Sequence, residues 1–567
     1  MNRKKILTGA LILTAAGVVT RILGFVYRIY MSNLMGAEGM GLYQLILPVY
    51  TLAWSIACAG FNTTVSKLTA QEKAKGEYGN MSRMLKQSVV ITTILGIFLT
   101  FALYFGAEIL AEYFFRDARV VMPLQILSLA FPFMAAGTCI RGYFIGLQET
   151  KIPAVNQVLE QIVRMAVIYF IAAAFVPRGL EYAAAAALIA IVAEEVFSFG
   201  FVVVAYKIWK RKNLPGGKPS RLRENASPVA LVLGNEKPSR LRENASLATH
   251  VLGNEKPSRL RENAPPATNV PGIKLLPSLT SKQMLGLIFG MALPLTGNRV
   301  AGSLLTAWEN VLIPQRLQMY GMPAAEAIAE FGRIQGMAVP LIFFPTAVLT
   351  ALSVTLVPAV AEAAAAKNMS GISSIASKAL LFASITGMGA ASLFFFFSHE
   401  LGVAIYNQQI GFMLQLLGVM APFIYMQILL SGVLNGLGCQ MFIFRNSLIS
   451  SGICIAFIFL FVPHFGIVAY ILGWLVSLIV VIALGLKKIR EFMSVEMSFN
   501  RWFLRPLAAA AVAGFVARFF ADRFLLEFAG LHVGLVLSIT ILAALYFSGV
   551  LVSGSISRDE IRRLFFR

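Results

Sequence analysis

Apolar runs of about 20 residues recur from one end of this chain to the other, each long enough to cross a hydrocarbon core of about 30 Å as a helix rising about 1.5 Å per residue. A water-soluble helix needs a polar face, and these runs offer little of one. Composition agrees: of 567 residues, 58% are hydrophobic and only 13% charged, with a mean hydropathy of +0.75. The reading is an all-α polytopic membrane protein with fourteen transmembrane helices, expected near 6–31, 41–66, 86–107, 121–147, 154–176, 182–206, 283–313, 333–358, 374–397, 411–436, 441–462, 466–486, 503–521 and 531–553.

Charge orients these spans. With the N-terminus inside, the even-numbered connections should carry the excess of Lys and Arg. They do: Lys67, Lys73, Lys75, Arg83 and Lys86 follow span two, Lys207, Lys210, Arg211 and Lys212 follow span six, and Lys487, Lys488, Arg490, Arg501 and Arg505 follow span twelve. Both termini are therefore expected in the cytoplasm. The net charge of +21 reports orientation and contact with an anionic leaflet rather than nucleic acid. The start, MNRKKILTGALILTAAGVVTR, has the basic head and apolar run of a signal peptide. Its apolar character continues through Tyr30 without a small-residue cleavage site, so it is read as a retained first helix.

Two repeats divide the chain. In the hydrophilic interval 207–282, KPSRLRENA recurs at Lys218, Lys237 and Lys256, a period of 19. Proline, asparagine, glycine and charge dominate it, so residues 207–282 are read as a disordered cytoplasmic loop, with the triple repeat at 218–274 a recent duplication rather than a lipid-surface or regulatory tether. The older repeat relates LQILSLAFPF from Leu124 to LQLLGVMAPF from Leu414, and Gly142, Gly146 and Asn156 to Gly432, Gly436 and Asn446, all at an offset of 290. GLYQ at Gly41 likewise parallels GRIQ at Gly332. Residues 1–206 and 283–486 are thus two copies of one six-helix lobe in parallel orientation, with 487–567 adding helices 13 and 14 and a cytoplasmic tail. Both copies of the fourth helix carry GxxxG, which lets helices approach closely.

Two lobes about one axis are an alternating-access architecture with substrate held between them. Arg21 and Arg28, two turns apart, share one face of helix 1. A buried guanidinium costs roughly 2.5–3.5 kcal/mol on insertion scales, so that face is expected to line a wet, charged cavity or to snorkel. Helix 7 adds Arg299, with Asn310 on the same face and Glu309 about 80° round. Glu160 and Arg164 of helix 5 stand at i and i+4, where they pair as a self-neutralised packing unit or serve the cavity. Adjacent Glu194 and Glu195 must face different neighbours. Cationic groups in a low-dielectric cavity favour an anionic substrate, and the planar fork of arginine suits phosphate.

No P-loop, GxSxG, HExxH or paired-carboxylate motif occurs, and His250, His399, His464 and His532 form no ligand set. Cys58, Cys139, Cys439 and Cys454 are scattered without CxxC spacing and read as core residues. The chain is therefore not expected to be an enzyme or to hold a cofactor or metal.

The segment TRILGFVYRIYMSNLMGAEGMGLYQLILPVY, with the two LQ(I/L)L…PF segments, resembles the polysaccharide-transporter and lipid II flippase branches of the multidrug/oligosaccharidyl-lipid/polysaccharide exporter superfamily. The resemblance implies two six-helix lobes around a V-shaped cavity, and a polyprenyl-diphosphate-linked saccharide as substrate, here a peptidoglycan precursor for spore cortex. It further implies that Arg21 and Arg28 match the helix 1 arginines lining that cavity, with Arg299 as the second-lobe cation. Helix 2, LPVYTLAWSIACAGFN, departs from the pattern in having no arginine. The partners implied are the lipid-linked saccharide, the bilayer and cell-wall synthases. Two other readings stand beside this one: cation-coupled multidrug efflux, which would want acidic and aromatic cavity residues, and a non-transporting membrane scaffold for those synthases.

Overall fold

The computed structural model describes residues 3–75, 78–213, 280–492 and 500–555. The triple repeat at 218–274 and most of the 207–282 loop lie outside the described residues. Within them the chain is helical, with no strand. Helix α1 (3–35) and α2 (37–75) form one continuous stretch interrupted at Gly36, whose φ of 68° only glycine adopts without strain. There follow α3 (Tyr78–Ile109), α4 (Val121–Ser128 and Phe131–Gly146, bent by 44°), α5 (Lys151–Phe175) and α6 (Leu180–Asn213). The second half comprises α7 (Ser281–Met319), α8 (324–365), α9 (Met369–Phe396), α10 (Gly411–Gly436), α11 (Gln440–Leu460) and α12 (Ile467–Arg490). Helices α13 (Arg505–Phe520) and α14 (Leu526–Val552) close the described chain.

By length and apolar character, 11 stretches can cross a membrane, or 12 if bent α4 is one span. That is two fewer than the expected fourteen. The difference lies in Ile12–Lys75 and Asn500–Val552, of 64 and 53 residues, each interrupted by a positive-φ glycine, Gly36 or Gly530. At about 1.5 Å per residue either stretch has the length of two crossings.

Both GxxxG motifs act where they were expected to. A Cβ on Gly142 would come within 2.7 Å of the Asn62 carbonyl oxygen, and one on Gly146 within 2.4 Å of that of Ser66, so α4 lies backbone to backbone on α2. In the second half Gly432 meets Ser353 and Gly436 meets Val357, seating α10 on α8 in the same way. The first half of α7 crosses over to the other lobe: Met284, Ile288 and Ala292 pack with Phe61, Val65 and Leu68 of α2. Helices α13 and α14 dock on α9, where Ser392 donates to the Ala510 carbonyl (2.7 Å) and Tyr546 to that of Ile385 (2.7 Å). Cys58, Cys139 and Cys454 are buried and Cys439 half-buried, all as free thiols.

Candidate functional site

The two halves meet where the sequence repeats itself. Gly41 of GLYQ and Gly332 of GRIQ face each other where α2 crosses α8. An added Cβ on Gly41 would lie 2.0 Å from the Ile328 carbonyl oxygen, and one on Gly332 would lie 2.0 Å from that of Ala37. Three residues on, the Gln44 amide donates to the Gln335 carbonyl (3.1 Å), and the Gln335 amide donates to the Tyr470 hydroxyl (2.9 Å). On the same side of the bundle Gln315 of α7 donates to the Phe114 carbonyl (2.7 Å), and Asn33 of α1 to that of Ile405 (3.0 Å). Together these bonds hold the halves together at the end where α2 begins.

Farther along lie the cations of α1 and α7. Arg21, exposed, donates to Thr350 Oγ1 of α8 (3.0 Å). Arg299, also exposed, has its guanidinium 5.9 Å from the centre of the Trp54 ring on α2. Each arginine precedes a glycine by three, Gly24 and Gly302, and each reaches a helix of the opposite lobe. Arg28 is half-buried within electrostatic reach of Tyr43 and Tyr406. None of the three makes an ion pair among the described residues.

The acids and the other arginines sort differently. Glu160 and Arg164 do not pair with each other, contrary to the i, i+4 expectation. Glu160 accepts from Arg141 of α4, from Asn156 (2.8 Å) and from Ser198 of α6 (2.6 Å), while Arg164 forms a two-point bond to Glu194 of α6, its Nε donating at 2.5 Å. Partners on other helices win because they lie across a packed interface, where both charges are satisfied without bending side chains along one helix surface. Glu195 turns to α2 and accepts from the Tyr50 hydroxyl (2.5 Å). Glu194 and Glu195 are both buried and, as expected of neighbours, face different helices. This network ties α2, α4, α5 and α6 into one lobe, with the side chains of Arg141, Glu160 and Arg164 partly exposed.

Glu309 is half-buried on α7, with one carboxylate oxygen buried and unbonded, and lies near Ser451 and Tyr470 of the second lobe. Asn310 beside it is half-buried. Arg141, whose guanidinium also reaches Thr138 Oγ1 (2.9 Å), was missed from sequence. Its signal was available: an arginine deep in an apolar run with no acid within a turn, immediately before the GxxxG of Gly142 and Gly146.

Comparison with known proteins bears out the resemblance read from the first two helices. Residues 6–225 match the family described as "Polysaccharide biosynthesis protein". Along its full length the chain is 28% identical to Stage V sporulation protein B of Bacillus subtilis, covering 98% of that protein. It is 32% identical to Lipid II flippase MurJ of Bacillus subtilis over 40% of this chain and 42% of that one. Among solved structures, "Lipid II flippase MurJ, inward closed conformation" superposes with a TM-score of 0.65 over 98% of this chain and 100% of that one, at 12% identity. At that identity the match shows a shared fold, an all-α bundle of long apolar helices.

Proposed function

We propose that this protein is an alternating-access flippase that carries the headgroup of a polyprenyl-diphosphate-linked saccharide, a peptidoglycan precursor used in sporulation, across the cytoplasmic membrane. It is a multi-pass membrane protein of the flippase and transporter class. One observation carries the finer reading. Arg141 and Arg164 are neutralised inside the first lobe, whereas Arg21, Arg28 and Arg299 have no acidic partner among the described residues and stand on helices that contact the opposite lobe. An unpaired guanidinium at membrane depth is tolerated where water or an anion reaches it, and a diphosphate offers each arginine a bidentate partner.

In this mechanism the diphosphate sits among Arg21, Arg28 and Arg299 while the polyprenyl tail stays in lipid beside the lobes. Each phosphate–guanidinium contact near 4 Å is worth up to about 4 kcal/mol at an effective dielectric near 20. That attraction helps lift the headgroup out of cytoplasmic water. The basic connections put both termini in the cytoplasm, so the α2–α8 crossing at Gly41 and Gly332 closes the outer side. Transport then requires that crossing to part while the inner side closes. A ligand drives the change only through its difference in affinity for the two states. Residues 1–206 and 283–486 act as the two lobes, and Glu309 and Asn310 support the α7 side of the cavity.

Substituting Arg299 by alanine tests the reading in protein that is still made and inserted. Translocation of a polyprenyl-diphosphate disaccharide in liposomes should fall by an order of magnitude or more. Unchanged translocation by Arg21→Ala and Arg299→Ala alike would refute the cationic cavity.

A further inference from the structure

Beside the α2–α4 contact lies an open cavity of about 480 Å³ on the protein surface, lined by Asn62, Thr63, Ser66, Lys67, Gly146 and Gln148. It opens at the basic end of α2, next to Lys73 and Lys75. Lys73 donates to the Leu147 carbonyl (2.7 Å), while Lys67 is exposed and makes no ion pair among the described residues.

The second lobe contains the same contact and serves as an internal control. Gly142 on Asn62 and Gly146 on Ser66 correspond to Gly432 on Ser353 and Gly436 on Val357, so the two helix pairs are backbone equivalents. Carried across at the same offsets, Thr63, Ser66 and Lys67 become Val354, Val357 and Pro358, and Gln148 becomes Gly438. Close helix packing therefore does not require the polar residues of the first lobe. Gln148 makes the point most sharply. It holds φ at 64°, in the left-handed region, where the second lobe has Gly438 at 76°. A strained backbone kept for an amide side chain beside a cavity, where glycine serves the fold elsewhere, points to a use for that amide.

We propose that this cavity docks the sugar end of the transported amphiphile on the cytoplasmic side, and so sets which headgroups are accepted. Two amides and two hydroxyls are the groups that recognise sugar hydroxyls and acetamido substituents, and Lys67 supplies one cation for a carboxylate carried on the sugar end. The inference rests on the flippase reading above and extends it to specificity.

The test gives the first lobe the side chains of the second: Thr63→Val, Ser66→Val and Gln148→Gly, together with Lys67→Ala. Binding to the full-length protein is measured for a polyprenyl diphosphate carrying a disaccharide, for the same polyprenyl diphosphate without sugar, and for phosphatidylglycerol nanodiscs. Affinity for the sugar-bearing lipid should fall about tenfold, the scale of one or two net hydrogen bonds, with the bare diphosphate unaffected. Equal losses for both diphosphates, no loss for either, or a loss confined to phosphatidylglycerol would overturn the proposal. If the unsubstituted protein binds neither diphosphate, the flippase reading itself fails, and this one with it. Gln148→Gly alone guards against misfolding: it relieves a strained position, so its Tm should not fall while sugar-dependent affinity does.

Discussion

Adding a single methyl group at the crossing of α2 and α8 should open it. Gly332→Ala would place a Cβ 2.0 Å from the Ala37 carbonyl oxygen, and Gly41→Ala one 2.0 Å from that of Ile328, whereas ordinary contact begins near 3.4 Å. The helices must separate by about 1.4 Å, and neither obstacle is a flexible side chain that can swing away. Overpacking of this kind costs about 1–3 kcal/mol, and it is charged to the outer-closed state alone. A bias of that size shifts a two-state equilibrium by about 5–150-fold. The assay is a single cysteine, Ala37→Cys, in a background where Cys58, Cys139, Cys439 and Cys454 are alanine, labelled from outside with a membrane-impermeant maleimide. Ala37 is 8% exposed, so labelling should be slow in the parent and at least about fivefold faster in either glycine variant. Gly297→Ala is the control, because an added Cβ there meets nothing within 4 Å. Unchanged labelling in both glycine variants, or an equal rise in the control, would refute the claim that this crossing holds the outer side shut.

Arg164→Leu should cost about 3–5 kcal/mol by leaving Glu194 buried without its partner; the double variant with Glu194→Leu should regain most of the lost Tm, and a double-mutant cycle measures the coupling. Arg518→Ala removes bonds from the α13 guanidinium to Glu400 (2.7 Å) and to the Phe396 carbonyl (3.2 Å); it should loosen α13 and α14 from α9, seen as faster proteolysis or hydrogen exchange there, with the first lobe unaffected. Deleting 218–274 should leave translocation near normal in stably inserted protein, and loss of activity would assign that interval a role.

How much of this was legible in the sequence depends on whether a feature is local or arises between helices. The all-helical membrane class followed from apolar length, while the 290-residue offset pointed to matching contacts such as Gly142 on Asn62 and Gly432 on Ser353. The GxxxG glycines were correctly read as packing sites because a missing side chain has a geometric meaning in any context. The crossing at Gly41 and Gly332 was visible only as a repeated tetrapeptide; that the two copies touch each other is a property of the assembled halves. Charge partners were the least legible. Glu160 and Arg164 satisfy the i, i+4 rule, yet each bonds to another helix, since sequence spacing says which residues can meet along one surface and nothing about what lies across it. Arg141 was lost for the same reason: its acid is 19 residues away, on the next helix.

The repeat preserved backbone contacts and let chemistry diverge. Glu160 and Arg164 correspond at offset 290 to Ser450 and Cys454, which meet Ser477 at 3.2 and 3.5 Å as a neutral cluster. One lobe is thus tied internally by buried ion pairs, the other at these positions by hydroxyl and thiol groups. A shared architecture that tolerates both shows that the fold does not require the charges. Buried pairs are weak stabilisers relative to apolar packing but costly to break, so the first lobe resists being bent at the level of α4, α5 and α6. Motion then falls to the contacts that lack such ties: the glycine crossing, the single amide bonds of Gln44 and Gln315, and the lone arginines of α1 and α7. On the proposed function, arginines without an ion pair among the described residues are what a carrier of a polyanionic headgroup needs, because a guanidinium already held by a carboxylate in the lobe would have to break that pair before it could bind phosphate.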